Sequence, residues 1–323
     1  MTTIFSAIDV GQKIVAKELI DILKQNLILY KTAKVQKIAA GSNSKTMIFR
    51  GYNKLSLATT ALSEGAVPVG QNLTMNSVSV VLSQYGDLTR ITDIAEFLLD
   101  RSLIKDAADV LGIQATETID TTIINVVGAG TTAVFGDGTV STRGTVTNTM
   151  KMTTTLVTRA VRFLETNNVK KFAPMPIIGN CFAVLAHPNV VADIRLDTNF
   201  IQAVNYSSPN PTNANRGDLF TGELGSWMGA RIISSTIAPS YGQVGAASAY
   251  VYGTLVYGDG AYAVSEFEGG LATFIHTGGV QDTSNPLEQF STVGWKWMGA
   301  SVILDNNRIV RLETSATFNG ATA

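Results

Sequence analysis

The stretch with the strongest chemical signature is Thr122-Ile123-Ile124-Asn125-Val126-Val127, running into Gly128-Ala129-Gly130-Thr131-Thr132-Ala133. An apolar run followed by G-x-G-x-x-A has the spacing of a dinucleotide-binding turn, in which glycines let the backbone approach a pyrophosphate held at a helix N-terminus. That chemistry needs a helix to begin there, and Val134-Phe135-Gly136-Asp137-Gly138 does not sustain one. It also needs an acidic residue about 20 positions further on, where Met150, Lys151 and Met152 fall. The pattern reads instead as a helix C-cap followed by a flexible loop. Gly41-Ser42-Asn43-Ser44-Lys45-Thr46 has a trace of a phosphate loop, but it lacks a glycine before the lysine and leads into a strand. With two histidines, His187 and His276, no imidazole-based metal site is expected, and His187 before Pro188 reads as a helix cap or a packing residue. The lone cysteine, Cys181, excludes an internal disulfide and a cysteine zinc site. It sits in the apolar run Ile177 to Ala186 and reads as a buried, inert thiol. The two Gly-Asp-Gly segments, 136–138 and 258–260, are turn sequences. No G-x-S-x-G occurs, and no carboxylates are spaced for acid–base work. No catalytic, cofactor or metal residues are therefore assigned, and the chain is not expected to be an enzyme. A soluble nucleotide-dependent enzyme using the glycine turn at 128–133 is kept as the alternative from a different class.

Composition frames this absence. Of 323 residues, 45% are apolar and 15% charged, against roughly 25% charged in an average soluble domain. Mean hydropathy is +0.19. The chain is too apolar for disorder and long enough for one elongated subunit or two joined domains. No run of about 18 apolar residues is present; the nearest approach, Ile177 to Ala192, is broken by Asn180, His187, Pro188 and Asn189. The N-terminus, with Asp9 in its first apolar stretch, does not read as a signal peptide. Extensive burial against other protein surfaces explains a charge-poor chain with neither feature.

Charge is also unevenly placed. Residues 1–55 hold nine basic groups (Lys13, Lys17, Lys24, Lys31, Lys34, Lys37, Lys45, Arg50, Lys54) against three acidic ones (Asp9, Glu18, Asp21), a net +6; the remainder, with 15 basic and 22 acidic, carries −7. A basic arm on an acidic body points to a polyanion or an acidic partner, or to a solvated helix face.

The elements that would position these groups follow from periodicity. Ile14, Val15, Leu19, Ile22, Leu23 and Leu27 predict a helix over 11–29. Met47, Phe49, Leu55 and Leu57, alternating with Ile48, Arg50, Tyr52 and Lys54, predict a strand. After the Gly/Pro-bearing stretch 63–70, a second β-rich run from Leu73 to about Thr92 completes a long hairpin with a wide tip. A two-stranded hairpin is at best marginally stable alone, so it must lie on another surface. Residues 93–127 read as one long helix, about 50 Å if straight, with Asp93 at its start, Gly128 at its end and a bend expected near Gly112. A second helix runs from about Lys151 to Asn167, and His187-Pro188 opens a short one. Strands are expected at 177–186, 230–236, 248–257, 261–267, 271–277, 293–304 and 309–312, with a polar loop over 207–217. The class is α+β.

Several segments then resemble one known family. They are Asn53-Lys54-Leu55-Ser56-Leu57-Ala58-Thr59-Thr60, Leu62-Ser63-Glu64-Gly65, Ser83-Gln84-Tyr85-Gly86-Asp87, His187-Pro188 before a short helix, Gly222 to Arg231, and Asp282 to Trp297. Together, and in this order, they resemble the major capsid proteins of tailed bacteriophages of the podovirus type. The resemblance implies the Hong Kong 97-like fold: an N-terminal arm (1–44), an extended hairpin loop (45–92), a peripheral domain with a spine helix (93–176, spine 93–127), an axial domain (177–270) and returning peripheral strands with the C-terminus (271–323). It implies self-assembly, through pentamers and hexamers, into an icosahedral shell around double-stranded DNA bound without sequence specificity. The protein would occupy the virion after assembly in the host cytoplasm, with scaffold, portal and decoration proteins as candidate partners and no membrane. A cellular nanocompartment shell of the same fold, encapsulin-like, is the alternative within that fold. The hairpin tip residues Glu64, Gly65, Val67, Pro68 and Val69 are the candidate intersubunit contacts. Lys13, Lys17, Lys24, Lys31 and Lys34 are the candidate interior basic arm. The 128–149 stretch is longer than the family minimum, and nothing marks a Lys–Asn crosslinking pair.

Overall fold

The computed structural model describes residues 28–39, 44–59, 61, 64–65, 67, 70–98, 103–172, 181–200, 223–276, 287 and 289–318. Most of the expected helix at 11–29, the polar loop at 207–217 and the first part of the strand at 177–186 lie outside these residues.

The described chain begins with a single helical turn, α1 (Leu29–Thr32), followed by β1 (Lys34–Ile38). The hairpin consists of β2 (Thr46–Tyr52) and β3 (Met75–Val81), paired antiparallel from Thr46 opposite Val81 to Tyr52 opposite Met75. The β-rich run expected from Leu73 to Thr92 divides here. After the buried Leu82, β4 (Ser83–Thr92) leaves the hairpin and enters a larger sheet. Two helical segments follow, α2 (Asp93–Leu98) and α3 (Leu103–Val127). The start of α2 is capped by Thr92, whose Oγ1 accepts from Ala95 N at 3.4 Å, while Asp93 is the first helical residue. The expected bend at Gly112 is absent: α3 is continuous through it, and Thr116 Oγ1 donates back to the Gly112 carbonyl at 3.0 Å.

The four-stranded sheet has the order β1-β11-β12-β4, with β11 (Tyr262–His276) and β12 (Phe290–Ile303) at its centre. Sequence periodicity gives two strands where β11 is one; a register shift between Glu266 and Leu271 interrupts it, and Gly269 takes a φ of 74° there, in the left-handed region that favours glycine. Trp295 and Trp297, two apart, share one face of β12 and are both buried, with Tyr85 stacked on Trp297 at 5.8 Å between ring centroids. This face packs on α3. Trp295 Nε1 donates to Gln114 Oε1 at 3.3 Å, and Gln114 Nε2 donates to Asp87 Oδ2 at 2.7 Å, so one glutamine ties the helix to two strands.

The second sheet has the order β5-β13-β10-β6-β8-β7, with β9 paired to β10. Its strands are β5 (Ala133–Phe135), β6 (Phe182–Ala186), β7 (Glu223–Trp227), β8 (Ala230–Ser234), β9 (Ser240–Gly242), β10 (Val251–Tyr257) and β13 (Ile309–Thr314). β6 and β10 are buried at every position, as a sheet covered on both faces requires. Alternation sorts their side chains. Ala183, Leu185, Leu255, Tyr257 and Ile309 join the core under α3. Phe182, Val184, Val256, Val310 and Leu312 join a second core under α4 (Thr154–Thr166) and α5 (Pro188–Leu196).

The sheets divide the chain differently from its linear order. β11, expected partly among the axial strands, lies in the four-stranded sheet, whereas β13, from the C-terminal segment, sits inside the seven-stranded one. The 128–149 stretch, expected to be a flexible loop or short hairpin, supplies an edge strand. β5 pairs in parallel with β13 from Ala133 opposite Arg311 to Phe135 opposite Glu313, and Phe135 bridges Val140.

Candidate functional site

The hairpin is built to reach outward. Beyond its seven paired residues, Asn53 N donates to Thr74 O at 3.0 Å and Gln71 Nε2 to Ser56 O at 3.1 Å, so the two arms stay close where the ladder has ended. Glu64 and Gly65 form an exposed turn, with Gly65 at a φ of 78°. Val67 is 92% exposed; Pro68 and Val69 lie outside the described residues. Phe49 is the buried residue of β2. Ile48, Tyr52, Leu55, Leu57, Leu73 and Met75 are all exposed, between 48% and 76%. The alternation expected over 47–57 is thus confined to β2, and both flanks of the hairpin present apolar side chains to solvent.

Of the five arm lysines, Lys13, Lys17 and Lys24 lie outside the described residues, while Lys31 and Lys34 are exposed beside the root of the arm. That root is fixed by a carboxylate that sequence reasoning missed. Asp120, on the buried face of α3, accepts from Ile28 N at 3.0 Å, and the Leu29 and Tyr30 amides also point at it. Burial pushes its carboxyl up to about 6, against the lowering effect of those amides and of the Lys31 charge. A chain of hydroxyls completes the anchor: Tyr262 OH donates to Leu29 O at 2.7 Å, and Thr32 Oγ1 lies 2.6 Å from Tyr262 OH and 3.1 Å from Tyr257 OH.

A second constellation was equally unanticipated. Glu313 on β13 has a fully buried side chain. Arg143 donates to it from Nε at 2.6 Å and from Nη2 at 2.8 Å, and the same guanidinium lies 3.4 Å above the Tyr241 ring. Arg311 Nε stands 2.6 Å from Glu313 Oε1, a close ion pair rather than an aligned hydrogen bond. Arg311 Nη1 donates to the carbonyls of Gly128 and Gly130. The cluster binds the 128–149 segment and the C-terminus of α3 to β13. Residues separated so far in sequence leave no spacing signal.

The glycine turn has a structural explanation. α3 ends at Val127, Gly128 N donates to Ile124 O at 2.7 Å, and a Cβ at Gly128 would stand 2.8 Å from that same oxygen. The chain then enters β5, so no helix N-terminus faces a phosphate here. His187 caps α5, accepting from Asn189 N at 3.2 Å, and stacks on Tyr252 at 4.8 Å; burial lowers its pKa. Cys181 departs from expectation: it lies just before the start of β6, bridged to Phe172, and is half-buried rather than sealed in the core. Among the described residues, no group of three or more His, Cys, Asp or Glu side chains could hold a metal, and no helix is long and apolar enough to cross a membrane.

A hairpin projecting from a sheet strand, a long helix and a twice-covered sheet now meet an independent finding: the family model described as phage capsid protein matches residues 75–304. The chain belongs to the phage capsid protein family. Its fold is Hong Kong 97-like, and the subunit is a structural major capsid protein. The capsid of Ralstonia phage GP4 is similar over 92% of this chain and 93% of that one, at 14% identity and a TM-score of 0.70. The capsid of cyanophage Pam1 is similar over 88% and 91%, at 13% identity and a TM-score of 0.64. The SrpI encapsulin of Synechococcus elongatus shares the fold at 13% identity over 91% and 90%, with a TM-score of 0.52. No curated protein matches the chain.

Proposed function

We propose that copies of this capsid subunit join as pentamers and hexamers into an icosahedral shell around a phage double-stranded DNA genome, assembling in the host cytoplasm without any catalytic step. The observation that carries this reading is the hairpin. Seven residue pairs with apolar flanks do not make a stable unit in water, and burying each Leu, Val or Met side chain contributes about 1.5–3 kcal/mol. A neighbouring copy supplies the missing surface, met by the tip at Glu64, Gly65, Val67, Pro68 and Val69. Arg50 and Lys54, exposed on the hairpin, keep it soluble until then.

In this reading the chain before β1 is the arm and residues 45–82 are the reaching loop, since β1 and β4 both belong to the four-stranded sheet. The four-stranded sheet with α3 is the peripheral part, and the seven-stranded sheet with α4 and α5 is the axial part, which meets its copies around the five- and six-fold positions. Closure comes from repetition of these contacts. The basic arm faces inward, where lysines offer the genome contacts that need no sequence specificity. Scaffold, portal and decoration proteins are the further partners such a shell would take.

The test is to express the chain, separate the product by sedimentation and view it by electron microscopy. Closed particles of megadalton mass, and nuclease-protected DNA in particles recovered from infected cells, are expected. A small soluble oligomer would overturn the shell. Closed particles that hold a protein cargo in place of DNA would favour the nanocompartment.

A further inference from the structure

The four-stranded sheet packs one face on α3 and leaves the other open around Gly294. On that open face two neighbouring positions carry no side chain, Gly294 opposite Leu88 and Gly86 opposite Lys296. Neither has room for one: a Cβ at Gly86 would stand 2.6 Å from Trp295 O, and one at Gly294 would stand 3.1 Å from Asp87 O. The result is a trough of about 600 Å³ with bare backbone in its floor. Phe274 and Leu88, 43% and 56% exposed, stand on either side of Gly294 as its cross-strand neighbours.

The rim is positive. Lys296, two positions from Gly294 and so on the same face, holds its Nζ 5.2 Å from the centre of the Phe274 ring, and Arg90 stands 5.1 Å over Phe290. Neither cation has a carboxylate partner among the described residues. Asp87, which also borders the trough, has its carboxylate turned to α3, where Gln114 donates to it. The trough lies at the root of its own hairpin, since Leu82 precedes Gly86 by four residues. Val67 is 15 residues before Leu82, up to about 50 Å along an extended strand, and the pairing of β2 with β3 holds the hairpin extended.

We propose, resting on the shell reading above, that the hairpin tip of a neighbouring copy seats in this trough, with Val67 over Gly86 and Gly294, between Phe274 and Leu88, and with Glu64 paired to Lys296. Charge selects the tip over the shaft. Glu64 is the one acidic residue from 45 to 86, whereas Lys45, Arg50 and Lys54 lie along the shaft and would set like charges against Lys296 and Arg90. Val67 is 92% exposed and leaves water on seating. Glu64 and Val67, three residues apart, span up to about 10 Å, enough for Val67 to cover Gly294 while Glu64 reaches Lys296. The contact is heterologous, the tip of one copy on the root of the next, and such contacts close into a ring when the rotation between copies allows.

A cross-link in the full chain tests this. With Cys181→Ser, Val67→Cys and Leu88→Cys combined, particles collected by sedimentation and mildly oxidised should contain disulfides between chains, seen as dimers and larger species on a non-reducing gel. Closed particles whose chains stay unlinked would overturn the seat and leave the shell standing, and a link within one chain, seen as a shifted monomer band, would do the same. Failure of the parent chain to form particles would overturn the shell and the seat together. A charge exchange needs no cysteine and decides the matter where the cysteine variant does not assemble. Lys296→Glu, and separately Glu64→Lys, should each lower the fraction of chains recovered in particles about two- to fivefold, and the double variant should restore it. Recovery that the double variant fails to restore also overturns the pairing.

Discussion

Arg143 reaches across 170 residues of sequence to grip Glu313 with both prongs of its guanidinium. The carboxylate has no access to solvent, so its charge is tolerated only while both arginines stand beside it. Arg143→Ala should destabilise the subunit by about 3 kcal/mol, since breaking a buried pair strands the remaining charge. Arg143→Lys should recover only part of this, because an ammonium cannot make the two-pronged contact. Thermal melts of the two variants beside the parent check both statements; an unchanged melt for the alanine variant would refute them.

Asp120 sets a pH dependence at the root of the arm. Its carboxyl is raised from an ordinary value of 3.8 to about 6. The folded state therefore binds a proton that the unfolded state does not between those values, and the resulting stability is complete below about pH 4 and lost as pH rises through 6. Two units correspond to about 3 kcal/mol. Asp120→Asn keeps an acceptor for the Ile28 amide without the buried charge. The variant should be more stable than the parent at pH 7.5 and close to it at pH 4, as read from denaturant midpoints at the two pH values.

Deleting residues 61–72 should yield soluble subunits that do not close into shells. The deletion removes the tip but leaves β2 and β3 with their pairing intact. Sedimentation separates the outcomes, and normal shells from this variant would show that the tip is dispensable.

Trp297 is 1% exposed and packed between Tyr85 and α3. Trp297→Ala should cost about 3–5 kcal/mol. Gly299→Ala probes the same packing from the backbone side, since a Cβ there would overlap the indole ring. Both should lower the melting temperature, and neither should alter the charge or length of the hairpin.

Changing Lys31 and Lys34 together to Gln should leave empty shells intact and reduce the DNA they retain, measured as nuclease-protected DNA per particle. Failure to form shells at all would mean that these lysines serve assembly.

The hairpin and the long helix were legible because each rests on local periodicity. The burial of β6 was legible as an apolar run, while that of β10, interrupted by Gly253 and Thr254, was not. Sheet membership was not. Nothing in Ile309 to Leu312 distinguishes a strand beside β12 from one beside β10, and β5 is only three residues long amid glycine and threonine. Cys181 was misread because an apolar run says that a strand is buried, not that the residue before its first pair is covered as well. Asp120, Arg143 and Glu313 escaped notice because each is an ordinary charged residue until the fold supplies a partner from far along the chain.

Leu82 joins β3 to β4 as a single buried residue, so the hairpin is one continuous projection of a sheet strand rather than a flap on a flexible tether. In mechanical terms it is a cantilever clamped at its base. A load applied at the tip is carried as bending through Leu82 into β4, whose Asp87 is bonded through Gln114 to α3. Outward pressure on a shell of such subunits would therefore stretch the hydrogen-bonded ladder between β4 and β12 along its ten residue pairs, a shear geometry in which many bonds share the force instead of peeling one at a time.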